Sequence, residues 1–111
     1  MPEPRPIYWI DYQRGPGWSA GQPAPQPALQ DHQLYLQRLM EAKMLLFAGL
    51  FRDEAGGGIA VLDTTDEASA RRIMEEDPGV TAGILTARLR PWLMVFNAEA
   101  GISPFAGQAA D

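Results

Sequence analysis

The chain has 111 residues and a formal net charge of −5, from nine Lys and Arg against fourteen Asp and Glu. That length accommodates one domain, and the acidic balance argues against nucleic-acid and membrane partners, which need a basic face. With no Cys and a single His, disulfides, thiolate nucleophiles and Cys-rich zinc sites are excluded, and acid–base chemistry has very few possible centres.

Taken in chain order, Pro2, Pro4 and Pro6 keep the N-terminal lead extended, and Ile7 to Tyr12, rich in β-branched and aromatic residues, reads as a first strand. Gly15 to Pro27 is too rich in Gly and Pro for helix or central strand, although Trp18 within it suggests a segment pinned to something apolar. From Ala28 to about Lys43 the period becomes helical, with Leu29, Leu36, Leu39 and Met40 on one stripe. Met44 to Phe51 is a continuous apolar run, Asp53 to Gly58 a turn, and Gly58 to Asp63 a further strand, together a β-hairpin. Thr64, Thr65 and Asp66 are N-cap candidates for a second helix through Ala70, Ile73 and Met74, which Asp77-Pro78-Gly79 ends. Ile84 to Leu89 reads as a fourth strand, Trp92 to Phe96 stays extended after Pro91, and residues 98–111 read as a loose tail on a core of about 6–97.

The order βαββαβ predicts an α+β, ferredoxin-like domain with a four-stranded antiparallel sheet and both helices on one face. In the second strand Leu46, Ala48 and Leu50 alternate with Leu45, Phe47 and Phe51, so both sides are apolar. The side away from the helices needs a cover, and a homodimer through the open sheet face is the expectation. No stretch approaches the roughly 18 apolar residues of a spanning helix, so the expected location is cytoplasmic.

His32 falls inside the apolar stripe of the first helix, and Asp77 continues the buried stripe of the second. If they meet, the pair is a general base with its orienting carboxylate. Each also has a structural explanation: a core histidine bonded to a neighbour, and an Asp that N-caps a short turn opened by Pro78. The two are compatible if the carboxylate caps and faces His32 at once. Ser19, Ser69 and Ser103 lack a nucleophile-elbow setting, and one His with scattered acids offers no metal site. No cofactor is expected. Tyr8, Tyr12, Gly49 and Arg88 are candidate pocket residues, Arg88 sharing a strand face with Arg90.

Three anchors carry a family resemblance: Asp31-His32 opening a helix that leads to Leu45-Leu46-Phe47-Ala48-Gly49; Asp77-Pro78-Gly79-Val80-Thr81-Ala82-Gly83-Ile84; and Arg90-Pro91-Trp92. From about Ile7 to Phe96 the chain resembles the YciI-like, or YCII-related, family. The resemblance implies a dimeric α/β barrel similar to muconolactone isomerases, with the family's catalytic His on His32 and its Asp on Asp77. It also implies lyase-like chemistry of the kind that dehydrochlorinates an aromatic ring. Two positions depart from the family's habit: Leu50, where Pro is common, and Lys43, where Gly is common. The expected function is therefore a homodimeric His-Asp acid/base enzyme, lyase- or isomerase-like, acting on a small organic molecule that is aromatic or anionic. The alternative is a non-catalytic ligand-binding or dimerisation module with both residues structural.

Overall fold

A computed structural model of the chain describes residues 6–18, 26–64, 66–96 and 98. Ser19, most of the Pro-rich loop, Thr65, Ser103 and the expected tail beyond residue 98 lie outside them. The elements are β1 (Pro6–Arg14), α1 (Gln26–Glu41), β2 (Leu45–Leu50), β3 (Gly58–Leu62), α2 (Glu67–Glu75), α3 (Pro78–Thr81) and β4 (Leu85–Leu93). The strands form one antiparallel sheet in the order β2-β3-β1-β4. This is the expected α+β, ferredoxin-like arrangement. No helix among the described residues is long and apolar enough to cross a membrane.

β1 is a central strand, and its alternation sorts the two faces of the sheet. Tyr8, Ile10 and Tyr12 join Leu39, Leu62, Ala70, Ile73 and Ile84 in the core beneath the helices. Ile7 packs instead with Val61 and Met94 on the other face, joined by Trp9 and Ile59. Ile7, Ile10, Val61 and Leu62 are fully buried, and each such side chain contributes roughly 1.5–3 kcal/mol relative to exposure.

Several boundaries differ from the sequence expectation for identifiable reasons. β4 runs unbroken from Leu85 to Leu93, with Pro91 opposite Tyr8. A proline is tolerated there because β4 is an edge strand. A β-bulge separates Leu45, opposite Leu62, from Phe47, opposite Val61. Strict alternation puts Leu45 with Phe47, but the extra residue places Leu45, Ala48 and Leu50 on the helix face and Phe47 on the open face. Met40, expected on the inner stripe of α1, is 57% exposed, because it lies two successive i, i+4 steps round from His32 and has drifted off the stripe. The C-terminus of α1 closes through Lys43 N–H to the Met40 carbonyl and Met44 N–H to the Leu39 carbonyl, with Lys43 at φ 62°.

Candidate active site

His32 sits on the inner face of α1, in phase with the partly or fully buried Leu29, Leu36 and Leu39, and is itself only 7% exposed. Asp77 lies between α2 and α3. Its extended backbone breaks the helix that α2 began, and Pro78 opens α3 in the first-turn position where a missing N–H costs nothing. The Asp77 carboxylate is completely buried. Charge in that position is costly unless several donors meet it, and three do, from three elements. Tyr12 Oη donates to Oδ2 at 2.9 Å, the Gly79 amide to Oδ1 at 2.8 Å, and His32 Nδ1 lies 2.9 and 2.8 Å from the two oxygens. Capping and pairing with His32 are thus done by one group at once.

This geometry sets the protonation pattern of the imidazole. A carboxylate only accepts, so Nδ1 carries a hydrogen, and in the neutral ring Nε2 is left with a free lone pair. No buried side-chain nitrogen or oxygen among the described residues lacks a partner; Nε2, which makes no bond of its own, therefore retains access to solvent. The Tyr12 ring meets the His32 ring edge-on, with centroids 5.0 Å apart. Burial, and then the Asp77 charge, push the Tyr12 phenol far above its ordinary range, so it stays a donor. Gly79 permits the close packing of α3 on α1: a Cβ there would stand 2.8 Å from Leu85 Cδ1 and 3.2 Å from His32 Cβ.

His32 borders a cavity of about 280 Å³ on the helix side of the sheet, walled chiefly by apolar side chains such as Leu29, Leu36 and Leu50. Trp18 and Arg14 line it as well. After β1 the chain bonds to the α3–β4 turn, through Gly15 N–H to the Ile84 carbonyl at 2.8 Å and Gly17 N–H to the Gly83 carbonyl at 2.7 Å. A Cβ on Gly15 would lie 2.5 Å from the Gly83 oxygen, so only glycine allows that approach. This contact delivers Trp18 to the cavity.

Of the other sequence candidates, Tyr12 bonds Asp77 and lines the cavity, and Gly49 forms part of its wall. Tyr8 lies in the helix-side core, and Arg88 is exposed on the open sheet face opposite Asp11; neither borders the cavity. Ser69 spends its hydroxyl on Asp66, the N-cap of α2. Arg14 was not among the sequence candidates. The available signal was period-2 alternation, since Arg14 continues the face of Tyr8, Ile10 and Tyr12. Across the sheet, a basin of about 510 Å³ holds Trp9 and Trp92, with ring centroids 5.0 Å apart, beside Phe51, Ile59 and Arg90.

Residues 18–92 match the YCII-related domain family. No curated protein matches the chain. Among solved structures, the fold is similar to 5-chloro-2-hydroxyhydroquinone dehydrochlorinase from Burkholderia phenoliruptrix AC1100, described in complex with 2,5-dihydroxybenzoquinone. The TM-score is 0.54 at 18% identity, over 78% of this chain and 92% of that one.

Proposed function

The chain belongs to the YCII-related domain family, and on that premise we propose that it is a small-molecule enzyme with His32 as general base and Asp77 as the group that orients it. The observation that carries this reading is the pairing of Nδ1 with a fully buried carboxylate at 2.8 Å while the same ring borders a ligand-sized cavity. Asp77 fixes the tautomer and supports the imidazolium that forms when Nε2 takes a proton. The electron pair left on the ligand then either expels a leaving group, which is lyase chemistry, or recaptures the proton at another atom, which is isomerase chemistry. The fold neighbour's dehydrochlorinase activity favours the first branch. In this reading the working unit is a homodimer closed through the open face of the sheet.

The test must separate catalysis from the structural work of the pair. His32→Asn keeps an N–H donor near the position of Nδ1 and removes Nε2. Turnover, followed as chloride release from 5-chloro-2-hydroxyhydroquinone or as deuterium uptake from D₂O by carbonyl and quinol compounds, is expected to fall by about 10²–10⁴-fold. The urea midpoint is expected to stay near that of the unaltered chain. Undiminished turnover in His32→Asn overturns the base assignment. A wild-type chain that binds such compounds and turns over none favours the binding-module alternative, which Asp77's role as the N-cap of α3 also supports.

A further inference from the structure

The cavity beside His32 contains a cation that the dyad does not use. Arg14 stands two residues beyond Tyr12 on the same face of β1, and its guanidinium carbon lies 5.0 Å from the centroid of the Trp18 ring. Gly56, in the β2–β3 turn, also approaches it: a Cβ placed on Gly56 would fall 2.9 Å from a terminal guanidinium nitrogen. The head group therefore lies over an indole face and against a turn of backbone. A cation–π contact uses no N–H donor, so the fork remains available to a ligand. No ion pair joins Arg14 to a described carboxylate, and no described Asp or Glu lines the cavity. Among the described residues, then, no carboxylate is paired with this charge, in a pocket whose other walls are largely apolar.

We propose that Arg14, braced on Trp18, anchors the anionic group of the substrate, so that the site selects small, flat, conjugated monoanions. This rests on the reading of the cavity as the active site and names its substrate class. A guanidinium fork matches the two oxygens of a carboxylate, or a phenolate or enolate oxygen with its neighbour, in a way a point charge does not. A cavity of about 280 Å³, just below the usual range for ligand sites, suits a single ring. With the anion on Arg14 and the ring over the apolar walls, the remaining edge of the molecule reaches toward His32. Arg14 acts here as a binding and specificity residue; the proton transfer stays with His32.

Calorimetric titration of the full chain with benzoate and with its neutral isostere benzamide tests the proposal. Benzoate is expected to bind at least about ten-fold more tightly, with an advantage that shrinks as salt is added. Arg14→Gln is expected to erase that preference, and Arg14→Lys to keep part of it, with folding unchanged because Arg14 is an exposed residue. The preference is expected to persist in His32→Asn, which separates this proposal from the catalytic one. Equal binding of the two compounds, a preference that survives Arg14→Gln, one that vanishes with His32→Asn instead, or no saturable benzoate binding at millimolar concentration would each overturn it. Loss of turnover in His32→Asn alongside any of those results leaves the base assignment standing and removes only the anion anchor.

Discussion

Tyr12 donates to a carboxylate that already accepts from an imidazole and an amide, so removing its hydroxyl weakens the site without emptying it. Tyr12→Phe is expected to cost about 1–3 kcal/mol at neutral pH, the range for a buried acceptor that loses one donor. The pH dependence has a definite sign. Burial raises the Tyr12 phenol, with help from Asp77, and burial followed by Glu76 and Asp77 pushes Tyr35 up to about 12. A raised phenol contributes stability that is whole below the ordinary value near 10.0 and is lost as pH climbs through the folded value. Urea midpoints measured against pH are therefore expected to decline above about pH 10, and less steeply in Tyr12→Phe than in the unaltered chain; equal slopes would remove Tyr12 from the account. At this scale His32 was legible because a helix repeats its burial every three to four residues, which makes a polar residue on the inner stripe conspicuous, and Asp77 because it follows the buried stripe of α2 directly before Pro78. Arg14 was not, because the following Gly15-Pro16-Gly17 draws the apparent strand end back to Tyr12. Only the contacts of Gly15 and Gly17 with residues 83 and 84 reveal that the strand and the segment after it are held to the site.

The C-terminus of α1 shows how an element is completed at some cost. The paired bonds from Lys43 and Met44 back to Met40 and Leu39 form a Schellman closure, with Lys43 in the left-handed position that glycine usually fills. An L side chain there costs about 1–2 kcal/mol, of which glycine's greater freedom in the unfolded chain returns part. Lys43→Gly is thus expected to stabilise the fold by roughly 0.5–1 kcal/mol, read as a higher urea midpoint with an unchanged slope. A lower midpoint would mean that the Lys43 side chain makes a contribution that outweighs its strain. The position also explains in physical terms why the family resemblance favours Gly there. The order βαββαβ was readable from periodicity and turn residues. The bulge between Leu45 and Phe47 was not, because a run apolar on both faces carries no mark of which residue is skipped in the pairing.

For the whole molecule, the proposed homodimer depends on the open face of the sheet. Half-buried Trp9 and Ile59 and the 53% exposed Phe47 present it, whereas Ile7 and Val61 are already fully buried on that side with Met94. The proposed homodimer covers this surface, and Phe47→Asp is expected to give a folded monomer by sedimentation where the unaltered chain sediments as a dimer. A chain that is monomeric at every concentration, or a Phe47→Asp variant that still dimerises, would contradict the sheet-to-sheet arrangement. The Asp77 cluster has a consequence of a different kind, for the order of events in folding. Tyr12 and Asp77 are separated by 65 positions in the chain, and His32 and Asp77 by 45. Contacts of such long range carry a large loop-closure cost and are made only when distant segments have already been brought together. In a chain without cysteine, this carboxylate works as a non-covalent clasp, knotting an early strand, the first helix and the last helical turn. A partly folded copy has an imidazole with no partner and no fixed tautomer, so the His32–Asp77 pairing comes into being only with the finished protein.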